Sequence, residues 1–281
     1  MNQKRIITIA TIVLFLLTLT SCTTTTTKLG VLSDIHGNTE NLHYFLEKIK
    51  TEKVDAIIIA GDTVEHFRNN KSDYDELNQS LLQLSQTNLP IFIIPGNHEN
   101  KNDYIQLLNY YSKKNKNIHD LYQEPIEKFK DITIIGLAGY ENKKFLSEDG
   151  FLLENKQIEN NFKLIQNNTN VLLITHGPPK GKNPSSIDAL TTGENVGNLY
   201  LDQMMKQYAI KFSISGHIHE AGQKAVTEDD EIIPENKWSS SLRLNPGSVI
   251  PWQMNDKTNS DGSAAILEMS NGKVKYHILR E

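Results

Sequence analysis

The chain has 281 residues, with 34 acidic and 29 basic side chains and a formal net charge of −5. Such an acidic surface repels long polyanions, so the composition argues against a nucleic-acid groove. The sequence contains a single cysteine, which excludes an intramolecular disulfide bond, and the fold must therefore be stable by core packing.

The first 21 residues are predicted to form a secretory signal peptide rather than part of the folded domain. Lys4 and Arg5 precede the apolar run Ile6–Leu19. This run is shorter than the ~20 residues that a membrane span requires, but it fits the apolar core of a secretory signal.

The run ends in Leu19-Thr20-Ser21-Cys22, which resembles the processing box of prokaryotic lipoproteins. The resemblance implies that Cys22 carries lipid, that residues 22–27 form the lipidated cysteine and a threonine-rich tether, and that residues 28–281 form the domain. Because two or more acyl chains anchor a protein stably, the predicted location is the cell envelope, attached to a membrane outside the cytoplasm. An ordinary cleaved signal and an uncleaved anchor are the alternatives.

Beyond the tether, buried strands alternate with amphipathic helices. Apolar runs predict strands at Lys28–Leu32, Val54–Ala60, Pro90–Ile94, Val171–Thr175 and Ile210–Ile214, with a further apolar run at Ile132–Ala138. Helices are predicted over Asn41–Lys50, Tyr74–Ser85, Tyr104–Ser112 and Gln157–Gln166. The segment Gly177–Gly197, rich in Gly, Pro, Ser and Thr, predicts a long mobile loop at the mouth of a cleft.

The end of the chain predicts a β-hairpin. Ala264–Met269 and Lys273–Leu279 flank Ser270-Asn271-Gly272, a favourable hairpin turn. The elements together predict an α/β fold in which two mixed β-sheets pack face to face as a sandwich flanked by helices. No internal repeat or interdomain linker is visible, and the sequence does not indicate an oligomeric state.

Polar side chains that can bind metal follow five of the predicted strands. These seven are Asp34, His36, Asp62, Asn97, His176, His217 and His219. His98 lies next to Asn97 and is not counted among them. In an α/β sheet the carboxyl ends of the strands lie along one edge, where loops converge and ligands bind. The sequence therefore predicts that these distant residues share one cleft.

The ligand types indicate the chemistry. Carboxylate, amide and imidazole donors without thiolate suit Mn²⁺, Fe, Zn²⁺ or Ni²⁺ better than Ca²⁺. Seven ligands are too many for one ion, but they fit two ions that share a bridging carboxylate. Two such ions can clamp a phosphoryl group during in-line displacement, so the pattern predicts metal-assisted phosphoester hydrolysis.

The five motifs together resemble those of the calcineurin-like metallophosphoesterase family, in the same order and at similar separations. They are Asp-x-His, Gly-Asp, Gly-Asn-His-Glu, Thr-His-Gly-Pro-Pro and Gly-His-x-His. The resemblance extends from about Lys28 to at least Gly247. The family's fold is the sandwich described above.

The resemblance also implies a role for each residue. Asp34, His36 and His219 would bind the first metal, Asp62 would bridge, and Asn97, His176 and His217 would bind the second metal. A hydroxide between the metals would attack phosphorus in line. His98 would protonate the leaving oxygen or stabilise its negative charge, and a carboxylate that the sequence does not identify would hold its proton.

Several of these residues have structural alternatives when taken singly. Asp34 and Asp62 could cap helices, and Asn38 could cap a helix or contact the substrate. His66 could reach the cleft. Asn245-Pro246-Gly247-Ser248 could form the floor of the site or a plain turn. The other histidines, His43, His119 and His277, are predicted to be surface or packing residues.

The scarcity of arginine bears on the substrate. Beyond the signal only Arg68, Arg243 and Arg280 are present, and Gly61-Asp62 is not followed by the arginine typical of the family's protein phosphatases. Because arginine forks suit a phosphomonoester dianion, a phosphodiester or a small phosphorylated metabolite is the predicted substrate. The alternatives are a nuclease on the same scaffold, which the acidic surface disfavours, and a catalytically silent envelope binding lipoprotein.

Overall fold

The structure is a computed structural model that describes residues 26–65, 72–165, 168 and 170–281. Its strands, in chain order, are β1 (Thr27–Leu32), β2 (Ala56–Ala60), β3 (Ile91–Ile94), β4 (Ile118–Asp120), β5 (Ile126–Phe129), β6 (Ile132–Leu137), β7 (Val171–Thr175), β8 (Phe212–Ile214), β9 (Lys224–Val226), β10 (Ile232–Ile233), β11 (Leu242–Asn245), β12 (Trp252–Gln253), β13 (Asn259–Ser260), β14 (Ser263–Ser270) and β15 (Lys273–Arg280). The α-helices are α1 (Thr39–Thr51), α2 (Asp73–Ser85), α3 (Lys101–Lys114), α4 (Asn155–Lys163) and α5 (Leu199–Gln207). Short 3₁₀ turns lie at Lys143–Phe145 and His219–Ala221.

Two mixed sheets make up the centre of the fold. The first has the strand order β15-β14-β1-β2-β3-β4, in which β1 to β4 are parallel and β14 and β15 are antiparallel. The second has the order β10-β9-β11-β8-β7-β6-β5, with a parallel centre of β6, β7, β8 and β11. A separate two-stranded hairpin joins β12 to β13.

Burial divides the molecule into layers. One apolar cluster lies between the two sheets and includes Val31, Ile58, Phe92, Leu172 and Ile214. A second cluster packs α1, α2 and α3 on the outer face of the first sheet, and a third packs α4 and α5 on the outer face of the second. The predicted fold class, two mixed sheets packed as a sandwich with flanking helices, is therefore confirmed.

Local elements follow the sequence prediction with small differences at their ends. The predicted helices all form; α3 starts at Lys101, three residues earlier than predicted, because Asn100 caps it through Asn102 and Asp103. The C-terminal hairpin forms across Asn271 and Gly272, whose φ angles of 52° and 65° match a type I′ turn. Strand β1 begins at Thr27, whose hydroxyl donates to Asp131.

The segment Gly177–Gly197 differs from its prediction. It has no helix or strand, but the buried Asp188 carboxylate accepts hydrogen bonds from Gly181 N (2.9 Å), Gly197 N (2.8 Å) and Asn195 Nδ2 (2.7 Å). These bonds hold both ends of the loop to one charge. None of the described residues that line the cavity belongs to this loop, but Ala189 O in the loop accepts a hydrogen bond from Asn255 Nδ2 in the β12–β13 hairpin (2.8 Å). Its place at the cleft mouth stays a prediction.

The predicted signal peptide, Cys22 and most of the tether lie outside the described residues, as does His66. Within the described part of the chain, no helix is long and apolar enough to cross a membrane.

Candidate metal centre

All eight residues singled out at the strand ends lie around one cleft. The structure places Asp34 and His36 after β1, Asp62 after β2, Asn97 and His98 after β3, His176 after β7, and His217 and His219 after β8. The strands β1 to β3 belong to one sheet and β7 and β8 to the other. The site therefore spans both sheets at their carboxyl-terminal edge.

The first group consists of Asp34, His36 and His219. His219 Nε2 lies 3.2 Å from an Asp34 carboxylate oxygen and 3.3 Å from His36 Nε2. The three ligand atoms lie within 4.8 Å of one another.

The second group consists of Asp62, His176 and His217, whose ligand atoms also lie within 4.8 Å of one another. His176 Nε2 is 3.1 Å from Asp62 Oδ2 and 3.0 Å from the side-chain oxygen of Asn97. Asn97 therefore presents its amide oxygen to this group, while its Nδ2 donates to the backbone oxygen of Phe145 at 2.9 Å.

Asp62 lies between the two groups. Its Oδ2 is 3.1 Å from His176 Nε2 in the second group and 4.0 Å from His36 Nε2 in the first. Its other oxygen, Oδ1, accepts hydrogen bonds from Asn97 N (2.8 Å) and His98 N (3.0 Å). The backbone thus fixes one carboxylate oxygen and leaves the other facing both groups.

The donor set fits divalent cations. Nε2 of His36 and Nε2 of His219 face each other beside the Asp34 carboxylate. Two such nitrogens cannot both donate across this gap, whereas both can donate lone pairs to a cation. The buried Nδ1 atom of His219 lacks a hydrogen-bond partner within the described residues, so this ring is oriented mainly through its Nε2 atom.

The backbone at the site is strained. Asp34, His36, Asp62 and His217 have φ angles of 55°, 49°, 50° and 66°. Left-handed conformations of non-glycine residues cost about 1–3 kcal/mol each and cluster at functional sites. Hydrogen bonds between loops hold them there, from Asp34 N to Gly61 O and from His36 N to Asp62 O.

Gly96 allows the backbone to pass close to the Asp62 carboxylate. A Cβ at this position would lie 2.2 Å from Asp62 Oδ1. No side chain fits there while Asp62 keeps its place. This close approach is the physical reason for the glycine that precedes Asn97.

Glu99 is a site residue that sequence reasoning did not single out. Its buried carboxylate accepts from Thr63 N at 2.5 Å and from Gly96 N at 2.7 Å, so it joins the loop after β2 to the loop after β3. Burial, followed by the repulsion of Asp62, raises the pKa of Glu99 to about 7. The only sequence signal is its position next to His98, and an acidic residue there could equally have faced solvent.

Glu65 is an acidic residue that contacts His98, and it does so through its main chain. The Nδ1 atom of His98 meets the backbone oxygen of Glu65 at 3.2 Å, and the Glu65 carboxylate lies 3.3 Å from His36 Nδ1. His98 Nε2 faces the cleft, 3.8 Å from Asp62 Oδ2. A main-chain carbonyl is thus one partner of His98 Nδ1.

The alternatives left open by the sequence are largely decided by the contacts. Asn38 caps α1 through Asn41 N, so neither Asp34 nor Asp62 caps that helix. Asn245 donates to Ile218 O, between the two histidines of the last motif, and accepts from Gly247 N. This segment supports the floor of the site. His43 is exposed on α1, whereas His119 and His277 lie outside the cleft near acidic side chains.

The histidine side chains of the site differ in pKa. Burial lowers the pKa of His36 to about 4 and that of His217 to about 3. Burial also disfavours the charged form of His176, but the Asp62 carboxylate outweighs it and raises the pKa to about 10. In the same way, Asp34 raises the pKa of His219 against the effect of burial.

These shifts predict proton release on metal binding. Histidine binds a cation through a neutral ring nitrogen, so a cation must displace the proton that His176 holds at neutral pH, and the raised pKa of His219 adds to the release. We expect about one to two protons to be released per protein at pH 7, with metal affinity rising as the pH approaches 10. Calorimetric titration of the metal-stripped protein with Mn²⁺, in buffers of different ionisation enthalpy, measures this number. Release of no protons would contradict the prediction.

The cleft above the two groups has a volume of about 510 Å³. It is lined by His36, Asp62, Glu65, His98, Phe145, His217, His219, Glu220, Ile250 and Trp252. No lysine or arginine is among these described residues. Arg243 is buried against Asp202 and Arg280 pairs with Glu235, both away from the cleft.

Three relatives have matching segments. A probable cyclic nucleotide phosphodiesterase of Vesicomyosocius okutanii is 29% identical over 186 residues, 65% of this chain and 70% of the relative. A component of the SbcCD nuclease of Staphylococcus saprophyticus is 29% identical over 121 residues, 42% of this chain and 31% of the relative. A probable glycerophosphodiester phosphodiesterase of Arcobacter nitrofigilis is 28% identical over 190 residues, 66% of this chain and 64% of the relative.

The fold and the sequence pattern both have known counterparts. A crystal structure of a Thermus thermophilus protein superposes with a TM-score of 0.65 at 14% identity, covering 90% of this chain and 98% of that one. The family model of the calcineurin-like phosphoesterases matches residues 27–221, which include all eight residues of the cleft motifs. The chain therefore belongs to the calcineurin-like phosphoesterase family, and it is a metal-dependent hydrolase that acts on phosphoester bonds.

Proposed function

We propose that the protein hydrolyses small phosphodiesters with the help of two divalent cations, drawn from Mn, Fe, Zn and Ni, and that it is lipid-anchored in the cell envelope outside the cytoplasm. The observation that carries the two-cation part is the position of Asp62. One of its carboxylate oxygens faces His176 and His36, which belong to different ligand groups. A shared carboxylate between two groups suits two ions better than one.

The candidate ligands would bind two ions. Asp34, His36 and His219 would hold one cation, and Asn97, His176 and His217 the other, with Asp62 between them. When bound, the cations would supply charge neutralisation at the phosphoryl group and an activated water. The protein's own contribution is to fix these ligands on strand ends and to keep their backbone in place through Glu99 and Asn245.

His98 is the proposed acid for the leaving group. Its Nδ1 meets the Glu65 backbone oxygen, which accepts only from a protonated nitrogen, so this contact fixes the ring with Nε2 toward the cleft. A proton on Nε2 would pass to the leaving oxygen as the ester bond breaks. A ring nitrogen of His98 also lies within 4.8 Å of the ligand atoms of His36 and Asp62, close enough to meet a phosphate ester held between the two groups.

The preference for a diester is supported by the charges around the cleft. A phosphodiester carries one negative charge, whereas a monoester dianion requires more cationic support. The cleft offers Glu65 and Glu220 and no described lysine or arginine. Two of the three relatives are named as probable phosphodiesterases, which also supports this preference.

The test is a substrate panel on the metal-reconstituted protein. Bis(4-nitrophenyl) phosphate and 4-nitrophenyl phosphate share one leaving group and differ in charge. We expect kcat/KM to be at least about tenfold higher for the diester. A preference for the monoester would contradict the diester proposal. If the metal-loaded protein hydrolysed neither substrate, the catalytically silent binding protein would be favoured instead.

The nuclease alternative predicts a different result. A nuclease would degrade plasmid or oligonucleotide at rates comparable with those for small diesters. The net charge of −5 opposes the binding of a long polyanion, so we expect little degradation. Rapid digestion that EDTA abolishes would favour the nuclease.

A substitution at Glu220 tests the electrostatic part of the proposal. Its carboxylate lines the cleft, so Glu220→Gln should raise kcat/KM for the monoester several-fold and change the diester value less, because the dianion carries the larger charge. Glu228→Gln, outside the cleft, is the matched control. Equal effects of Glu220→Gln on both substrates would exclude this role.

The anchor is tested separately at Cys22. Cys22→Ser removes the acylated thiol and should move the protein from the membrane fraction to the soluble fraction. Fractionation followed by immunoblotting measures the distribution. Retention of the variant on membranes would indicate an uncleaved signal rather than lipidation.

A further inference from the structure

Each ligand group has an aromatic neighbour that faces the cleft. Phe145 lies beside the second group, with its ring centroid 6.3 Å from that of His217, and it is 54% exposed. Trp252 lies beside the first group, 4.5 Å from the His219 ring and nearly perpendicular to it, at 84°. Both side chains line the same cavity, together with Ile250.

Main-chain contacts tie both rings to the ligands. The backbone oxygen of Phe145 accepts from Asn97 Nδ2 at 2.9 Å. Trp252 belongs to the β12–β13 hairpin, and Asn255 N in that hairpin donates to Glu220 O, in the 3₁₀ turn that starts at His219. The two aromatic surfaces are therefore positioned relative to the site of phosphate cleavage.

We propose that the cleft selects small phosphodiesters with a flat aromatic group on an ester oxygen, and that Trp252 and Phe145 form the surface against which this group packs. The inference rests on the proposed diesterase function and adds its substrate class. Aromatic rings attract one another in offset or edge-to-face arrangements beyond the effect of buried area.

Competitive inhibition tests the proposal without depending on a leaving group. Diphenyl phosphate and dimethyl phosphate are both monoanionic diesters and differ in their organic groups. We expect diphenyl phosphate to inhibit at concentrations at least about tenfold lower, because stacking on an aromatic side chain contributes this much or more. Trp252→Ala and Phe145→Ala should each remove most of that difference, and Trp252→Phe should keep part of it.

Trp238 provides a matched control. The chain has two tryptophans, and Trp238 lies outside the cleft with the Lys275 ammonium 5.3 Å from its ring. Trp238→Ala should leave the preference for diphenyl phosphate unchanged. Phe145→Ala keeps the backbone oxygen that holds Asn97, so its metal content should match the wild type.

Fluorescence gives a readout besides activity. In Trp238→Phe, the remaining tryptophan is Trp252, and diphenyl phosphate should change its emission with the same concentration dependence as the inhibition. Dimethyl phosphate should not. Unchanged emission, or a preference that survives both alanine variants, would overturn this inference while leaving the diesterase proposal intact. Failure of the wild type to hydrolyse any diester would instead remove the proposed function.

Discussion

Replacing Asp62 with asparagine is expected to lower the metal content and to reduce hydrolysis by roughly 10³-fold or more, since the loss of bridged cations removes several kcal/mol of charge stabilisation. The substitution nearly preserves shape. The amide oxygen can still accept from Asn97 N and His98 N, as Oδ1 does in the native site. What changes is the atom that faces both ligand groups, which becomes an uncharged NH₂ group pointing at His176.

Metal analysis by mass spectrometry and steady-state kinetics with bis(4-nitrophenyl) phosphate measure the two effects on the same sample. Asp229→Asn is the matched control, because Asp229 is exposed and forms its ion pair with Lys182, away from the cleft. His217→Ala should likewise lose metal and activity together. An Asp62→Asn protein that keeps two cations and normal turnover would exclude the bridging role.

Replacing His98 with alanine is expected to keep the metal content and to lower turnover by roughly 10²–10⁴-fold, the range for a lost general acid. Metal content and turnover should respond differently because of where His98 lies. His98 Nε2 is 3.8 Å from Asp62 Oδ2, and a ring nitrogen of His98 lies within 4.8 Å of ligand atoms of His36 and Asp62. The groups of Asp34 and of His176 nevertheless each offer three ligands without His98. Metal analysis and turnover measured together distinguish His98→Ala from the loss of a ligand.

The loss of turnover in His98→Ala should depend on the leaving group of the substrate. A general acid matters most when the departing oxygen is basic, so the loss in His98→Ala should be largest for alkyl leaving groups and small for 4-nitrophenolate. His43→Ala, on the exposed face of α1, is the control. A loss that is equal for all leaving groups would indicate that His98 positions the substrate rather than donating a proton.

The positions of the ligands could be predicted because parallel strands place their ends together. Asp34, Asp62 and Asn97 follow the last residues of β1, β2 and β3 closely, which leaves them little freedom to lie elsewhere. The apolar strands before them are readily recognised in the sequence. The sheet order itself was not predicted. The parallel β7 and β8 had to lie opposite the first sheet for His176 and His217 to complete the centre.

The supporting residues could not be predicted for a different reason. Glu99 acts through two backbone amides of neighbouring loops, and a sequence does not show which loops will be adjacent. Phe145 and Trp252 reach the cleft from a 3₁₀ turn and a short hairpin that lack periodicity. Composition also did not show that the loop Gly177–Gly197 is held by buried carboxylates, those of Asp188 and Asp230.

The left-handed backbone conformation lowers the stability of the fold but carries side chains that activity needs. It occurs at Asp34, His36, Asp62 and His217. Glycine adopts these angles without strain. It has no side chain that could coordinate a cation. Natural proteins lie only slightly above the stability they need. Laboratory evolution for heat resistance alone should therefore replace these side chains, and retention of all four requires simultaneous selection for hydrolysis.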